Sequence, residues 1–155
     1  MTEVWFYHLQ RQPLERALPA LLERSLARGW RVVLQAVSAQ RLRQLDDLLW
    51  SYAPESFLPH GAQGDGEPRT QPIFLTLGAD NPNRADVRFF VEDAELAPVL
   101  ADAASAPAAR AILLFDGRDD AAVAAARVQW RRLKDAGHAL SYWRQSDDGK
   151  WEKQA

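Results

Sequence analysis
Arg31-Val32-Val33-Leu34-Gln35-Ala36-Val37, followed at once by Ser38, is the stretch on which the fold turns. A nearly continuous run of branched aliphatic residues, bounded on one side by Gly29 and on the other by a helix-capping serine, reads as a strand buried on both faces. Working outward, Val4 to Leu9 is a second short β-rich segment. Between the two, Pro13 opens a run to about Arg28 in which Leu14, Ala17, Leu18, Leu21, Leu22 and Leu26 recur at helical spacing, and Gly29 is placed to end it. Ser38 caps a following helix that ends near Trp50. A β-α-β-α opening with short joints predicts a parallel sheet covered on both faces, the α/β class.

Further along, Trp50 to Pro72 holds four prolines and three glycines, and Gly61 to Pro72 has almost no apolar residue, so it reads as an exposed loop. Strands are expected at Ile73–Leu77 and Asp86–Val91, an alanine-rich helix after Asp93, and the clearest central strand at Arg110–Phe115. Asp119 caps a long helix to Ala136, with Gly137 beyond it; His138–Gln145 and Lys150–Gln154 form a hairpin around Asp147-Asp148-Gly149. No internal repeat is visible, and 155 residues suit one domain with a single core.

The composition narrows the function. There is no cysteine, hence no disulfide framework, thiolate metal site or cysteine nucleophile. The opening Met1-Thr2-Glu3-Val4-Trp5-Phe6 has neither a basic segment nor a long apolar one, and no run approaches the ~20 apolar residues of a membrane span. A soluble, cytoplasmic protein is expected. The net charge of −2 argues against a general grip on nucleic acid. Yet from Arg127 onward seven basic residues face four acidic ones, a local +3, so the other 126 residues carry −5. A local positive end suits a small anionic partner better than a long phosphate backbone.

Enzyme chemistry finds little support. The Leu9–Pro13 joint has no glycine, so the backbone cannot come close to a pyrophosphate there, and no Gly-x-x-x-x-Gly-Lys-Ser/Thr segment exists. Gly61, Gly64 and Gly66 lie far from a helix start, in a loop where chain flexibility accounts for them. His8, His60 and His138 are isolated in sequence, and Asp46-Asp47, Asp119-Asp120 and Asp147-Asp148 are explained by helix-face, cap and turn roles. No cofactor and no metal is expected.

Two features stand out. Arg127, Trp130, Arg131 and Lys134 follow i, i+3, i+4, i+7 and share one stripe of the last helix. Guanidinium groups clamp carboxylates while an indole lends apolar area, a combination suited to an acidic peptide with an apolar end; the plainer alternative, a core tryptophan with solubilising neighbours, is equally open from the pattern. The second feature is Leu49-Trp50-Ser51-Tyr52-Ala53-Pro54-Glu55-Ser56-Phe57-Leu58-Pro59-His60, either an aromatic patch for a protein partner or a cover over the core edge.

These segments resemble the chi subunit family of the bacterial DNA polymerase III holoenzyme. The resemblance rests on Val4-Trp5-Phe6-Tyr7, on Gly29-Trp30-Arg31-Val32-Val33-Leu34, on Leu45-Asp46-x-Leu48-Leu49-Trp50 with Glu55-Ser56-Phe57-Leu58-Pro59-His60, and on Arg127-x-x-Trp130-Arg131 leading to Lys134-x-x-Gly137-His138. Tyr142-Trp143 followed by Trp151-Glu152-Lys153 extends it almost to the end. It implies a Rossmann-like fold without nucleotide chemistry and a non-enzymatic adaptor within the clamp-loader assembly. The implied partners are the acidic, phenylalanine-terminated tail of single-stranded-DNA-binding protein, at Arg127, Trp130 and Arg131 with Lys134 assisting, and a psi subunit or accessory helicase at Trp50, Phe57 and Pro59. It also implies one copy within a heteromeric complex, touching DNA only indirectly. Trp130 stands where tyrosine is common, and Val123 where some members carry a lysine. Direct single-strand binding by the basic, aromatic C-terminal face and a small nucleotide-using enzyme rank second and third.

Overall fold
The computed structural model describes residues 2–52, 58–146, 148 and 150–155. Among these, eight strands form one sheet in the order β3-β4-β2-β5-β6-β1-β7-β8. They are β1 (Glu3–Leu9), β2 (Val32–Gln35), β3 (Gly61–Ala62), β4 (Ile73–Thr76), β5 (Val87–Val91), β6 (Arg110–Asp116), β7 (Ala139–Gln145) and β8 (Trp151–Lys153). Every neighbouring pair is parallel except the terminal β7–β8 hairpin. The helices are α1 (Leu14–Ala27), α2 (Ala39–Ser51), the single turn α3 (Ala97–Leu100) and α4 (Asp120–Asp135). The expected α/β architecture stands.

Strand alternation sorts the core into two layers. On β1, Tyr7 and Leu9 pack with Leu18, Leu22, Leu45 and Leu49 of α1 and α2. Val4 and Phe6 point the other way, to Leu96, Val99, Ala126 and Leu133 on the α3/α4 side. Full burial of each such side chain contributes about 1.5–3 kcal/mol, so β1 ties both layers together. Ser38 caps α2 by accepting from the Arg41 N–H, and Asp119 caps α4 by accepting from Ala121 and Ala122. At the β8 end, aromatic rings cover the sheet: Trp5 stacks on Trp143 at 4.7 Å and Tyr7 on Trp151 at 4.4 Å. The Arg110 guanidinium lies 3.5 Å above the Trp5 ring.

Three expectations change. The alanine-rich stretch after Asp93 is helical only over Ala97–Leu100. Beyond it, the Ser105 hydroxyl donates to the Val99 and Asp102 carbonyls and Asp102 accepts from the Ala104 N–H, local bonds that compete with a helix. The Gly61–Pro72 loop is not wholly exposed: Gly61 is buried in β3, paired to Phe74, and a 3-10 turn forms at Pro68–Thr70. Gly61 therefore does more than loosen the chain, since a Cβ there would sit 2.7 Å from the Gln71 side chain.

Arg88, the second residue of β5, is wholly buried. Its guanidinium donates to Gln35 Oε1 (2.7 and 3.1 Å) and to the Gly78 (2.6 Å) and Asp80 (2.8 Å) carbonyls. Burial pulls its pKa down to about 10, against the pull of Asp80, so it stays charged near neutrality and fastens the 78–80 turn to the sheet.

Candidate functional site
The carboxyl ends of β1, β5 and β6 are where a sheet of this kind would receive a nucleotide. Here they open on a cavity of about 220 Å3 lined by Leu9, Glu15, Arg41, Glu92, Asp116 and Arg118 among others. Arg41 spans it, with Nη2 2.7 Å from Glu15 Oε1 and Nε 2.8 Å from Glu92 Oε1. Burial pushes the Glu15 carboxyl up, but the Arg41 hydrogen bond and charge outweigh it and hold the group below its ordinary value. Three carboxylates against two guanidiniums make a poor receptor for phosphate.

A different cavity, about 240 Å3, lies between α4 and β7. Val123, Ala126, Arg127 and Trp130 line it from the helix, Tyr142 from the strand, and Ala155 from the segment after β8. The helix supplies Val123, Ala126, Arg127 and Trp130 to one side because they recur at three- and four-residue spacing, while Leu133 turns to the core. Trp130 is half-buried, its ring edge-on to Phe6 at 5.3 Å and to Tyr142 at 5.8 Å. It is both partly packed on the core and a wall of the cavity. Arg127 is exposed at the rim, and Arg131 and Lys134 are exposed on the same helix without lining the cavity.

Beneath the cavity, the Tyr142 hydroxyl lies 2.6 Å from His8 Nδ1. Burial pushes the tyrosine's pKa up, opposed by Arg144 and Arg127, so the phenol stays protonated. Burial, then Arg144, pull the His8 pKa down, with Asp116 opposing and Arg127 adding a further lowering, so the imidazole is neutral at neutral pH. Both backbone groups of Tyr142 are bound to the segment after β8: its N–H donates to the Ala155 carbonyl (3.2 Å) and its carbonyl accepts from Gln154 (2.7 Å). The resulting surface is an apolar pocket with one cation at its edge.

Sequence reasoning singled out Arg127 and Trp130 but missed Tyr142, His8 and Ala155 as parts of the same place. Only the alternation of β7, which sends Leu140 and Tyr142 to the α4 side and Trp143 to the other, could have pointed to Tyr142.

The second patch is partly in view. Trp50, at the end of α2, is 58% exposed, with its ring edge-on to His60 at 5.0 Å. His60 is buried; its Nδ1 contacts the Leu58 carbonyl (2.6 Å) and its Nε2 lies 2.8 Å from Asp46 Oδ1. Asp46 is thus more than a helix-face residue, since it helps hold the loop on which exposed Pro59 sits. Trp50 and Pro59 are brought to one neighbourhood, and Phe57 lies outside the described residues.

Fold and site together define an α/β domain of Rossmann-like layering whose nucleotide crevice is closed by ion pairs and whose open pocket is apolar with a basic rim. Comparison with known families makes this specific: the model of the DNA polymerase III chi subunit (HolC) family matches residues 1–141, and the chain belongs to that family. It is also similar to a probable DNA polymerase III subunit chi from Rickettsia prowazekii (strain Madrid E), 28% identical over 100 residues. That match covers 64% of this chain and 61% of the relative's length.

Proposed function
We propose that this protein is a non-enzymatic adaptor of the replicative polymerase assembly that receives the acidic, apolar-ended C-terminal tail of single-stranded-DNA-binding protein in the α4–β7 cavity. The observation that carries the reading is the pairing of an apolar pocket, walled by Trp130, Tyr142 and Val123, with the Arg127 guanidinium at its mouth. A terminal apolar side chain buried there gains about 1.5–3 kcal/mol. The adjoining α-carboxylate meets Arg127 in a charge-assisted hydrogen bond, and Arg131 and Lys134 extend positive potential toward the acidic residues upstream. The Trp50–Pro59 patch, with Phe57 in the same segment, serves the second partner, a psi subunit or an accessory helicase. The protein works in the cytoplasm, as one copy in a heteromeric complex, and reaches coated DNA through the tail.

The test is a titration of a fluorescent peptide copying the host's single-stranded-DNA-binding protein tail, at low and moderate salt, with Arg127→Ala and Trp130→Ala alongside. Saturable binding that weakens with salt and is lost in both variants supports the assignment. No binding by folded wild type at low salt sinks it.

A further inference from the structure
At the other end of the parallel strands from the Glu15–Arg41–Glu92 network, the loops entering β2, β4 and β5 enclose a concavity of about 530 Å3. Its lining is Arg31, Arg69, Asn81, Pro82, Asn83 and Arg84. The three arginines come from three separate segments, and among the described residues none of their guanidiniums has a carboxylate partner. The nearby Asp86 carboxylate is engaged elsewhere, accepting from the Arg31 backbone N–H at 2.9 Å.

The loops are held firmly. Buried Asn83 donates from Nδ2 to the Val32 (3.0 Å) and Gln71 (2.9 Å) carbonyls, and Asn81 Oδ1 accepts from the Ala85 N–H at 2.8 Å. Arg31 Nη1 rests on the Asn83 and Arg69 carbonyls at 3.3 and 3.4 Å, which fixes where the guanidinium stands while its other edge faces the hollow. Arg84 has φ 51°, a left-handed conformation that is strained for a side chain of its size. Three exposed guanidiniums from separate segments gathered around one hollow concentrate positive potential there, which favours an anion.

We propose that this concavity is a second anion site, separate from the α4–β7 cavity, that takes the phosphodiester backbone of single-stranded nucleic acid. The lining decides the class of anion. It offers guanidiniums, two amides and a proline, but no aromatic or branched aliphatic wall, so an acidic peptide has nowhere to seat an apolar anchor. A chain with one negative charge per repeat meets several arginines at once. The contact adds a direct hold on DNA to the indirect one through the tail, and it is weak and salt-sensitive because it rests on charge alone.

The test uses the full chain with a fluorescein-labelled oligothymidylate, over a salt series. Three neutralised phosphates give a slope of log affinity on log salt of about −2, at about −0.7 for each phosphate on a single strand. Arg69→Ala/Arg84→Ala, both at exposed positions where folding is readily checked by thermal melting, reduces the slope to about −0.7 and weakens binding at low salt. Arg127→Ala leaves oligonucleotide binding intact while removing tail-peptide binding, and the double variant does the reverse, so the two sites stand or fall separately. Absence of oligonucleotide binding by folded wild type at low salt overturns the proposal. So does binding indifferent to Arg69 and Arg84, or a polyglutamate peptide that binds through those arginines where the oligonucleotide does not.

Discussion

His8 Nδ1 and the Tyr142 hydroxyl stand 2.6 Å apart, joining the central strand β1 to the edge of the proposed tail pocket. The imidazole is neutral in the folded protein at neutral pH because burial and the charges of Arg144 and Arg127 outweigh Asp116. A histidine whose folded pKa lies below the ordinary value favours folding above that value, and the favour is lost as pH falls through the folded pKa. Stability therefore declines as pH drops from about 7 toward 5. His8→Gln, which retains a hydrogen-bonding side chain but no titration, shows a flatter decline. Melting temperatures of the two proteins across this range check it; parallel curves would remove His8 from the account.

Gly117 sets the other wall around the same imidazole. A Cβ at residue 117 would lie 1.9 Å from His8 Nε2 and 2.0 Å from Cδ2, and the Gly117 N–H donates to the Leu9 carbonyl at 2.7 Å, so the backbone is not free to retreat. Gly117→Ala therefore displaces the His8 ring, at a cost of about 1–3 kcal/mol by overpacking. Tail-peptide affinity falls with it, because Tyr142 loses its support. A denaturant titration reads the first effect and fluorescence polarisation the second; unchanged stability would mean that the ring has room to move.

Val123 lines the cavity one turn before Arg127. Val123→Lys places a second cation at the mouth, at the expense of some apolar wall and of repulsion from Arg127. In the proposed reading the tail carries several carboxylates, so attraction wins at low salt and peptide affinity rises several-fold, by about 1 kcal/mol. At high salt the gain disappears as the charges are screened. A variant that binds more weakly at every salt concentration would show that the valine wall matters more than the charge.

Much of this was legible in the residues themselves. Val32–Leu34 and Ile112–Phe115 are buried on both faces and announce parallel strands by composition, and Ser38 and Asp119 cap the helices they precede. Arg127 and Trp130 share a stripe that periodicity exposes directly. What was hidden depends on contacts distant in sequence. His8 meets Tyr142 across 134 residues, Ala155 closes a pocket opened by α4, and Arg31 reaches Arg69 and the Asn83 loop only once the strands are aligned. The stretch after Asp93 misled because alanine favours helix, whereas the hydroxyl of Ser105 and the carboxylate of Asp102 offer the backbone other partners.

Arg88 is the strongest case of such a hidden dependence. A charge within β5, in a run otherwise made of Val87, Phe89, Phe90 and Val91, looks misplaced until its acceptors are found in Gln35, Gly78 and Asp80. Arg88→Ala leaves the Gly78 and Asp80 carbonyls and Gln35 Oε1 without these donors and opens a void beside Phe90, whose ring lies 5.6 Å from the guanidinium carbon. Leaving a buried neutral acceptor without its donor costs about 1–3 kcal/mol, and several such groups together are a large share of a typical domain's stability. Arg88→Met retains much of the volume but none of the donors, so it separates packing from hydrogen bonding. If the turn at 78–80 depends on the guanidinium, both variants lower the denaturant midpoint, alanine more than methionine, and amide exchange rises in residues 77–85. A methionine variant as stable as wild type would show that Arg88 serves by filling space alone.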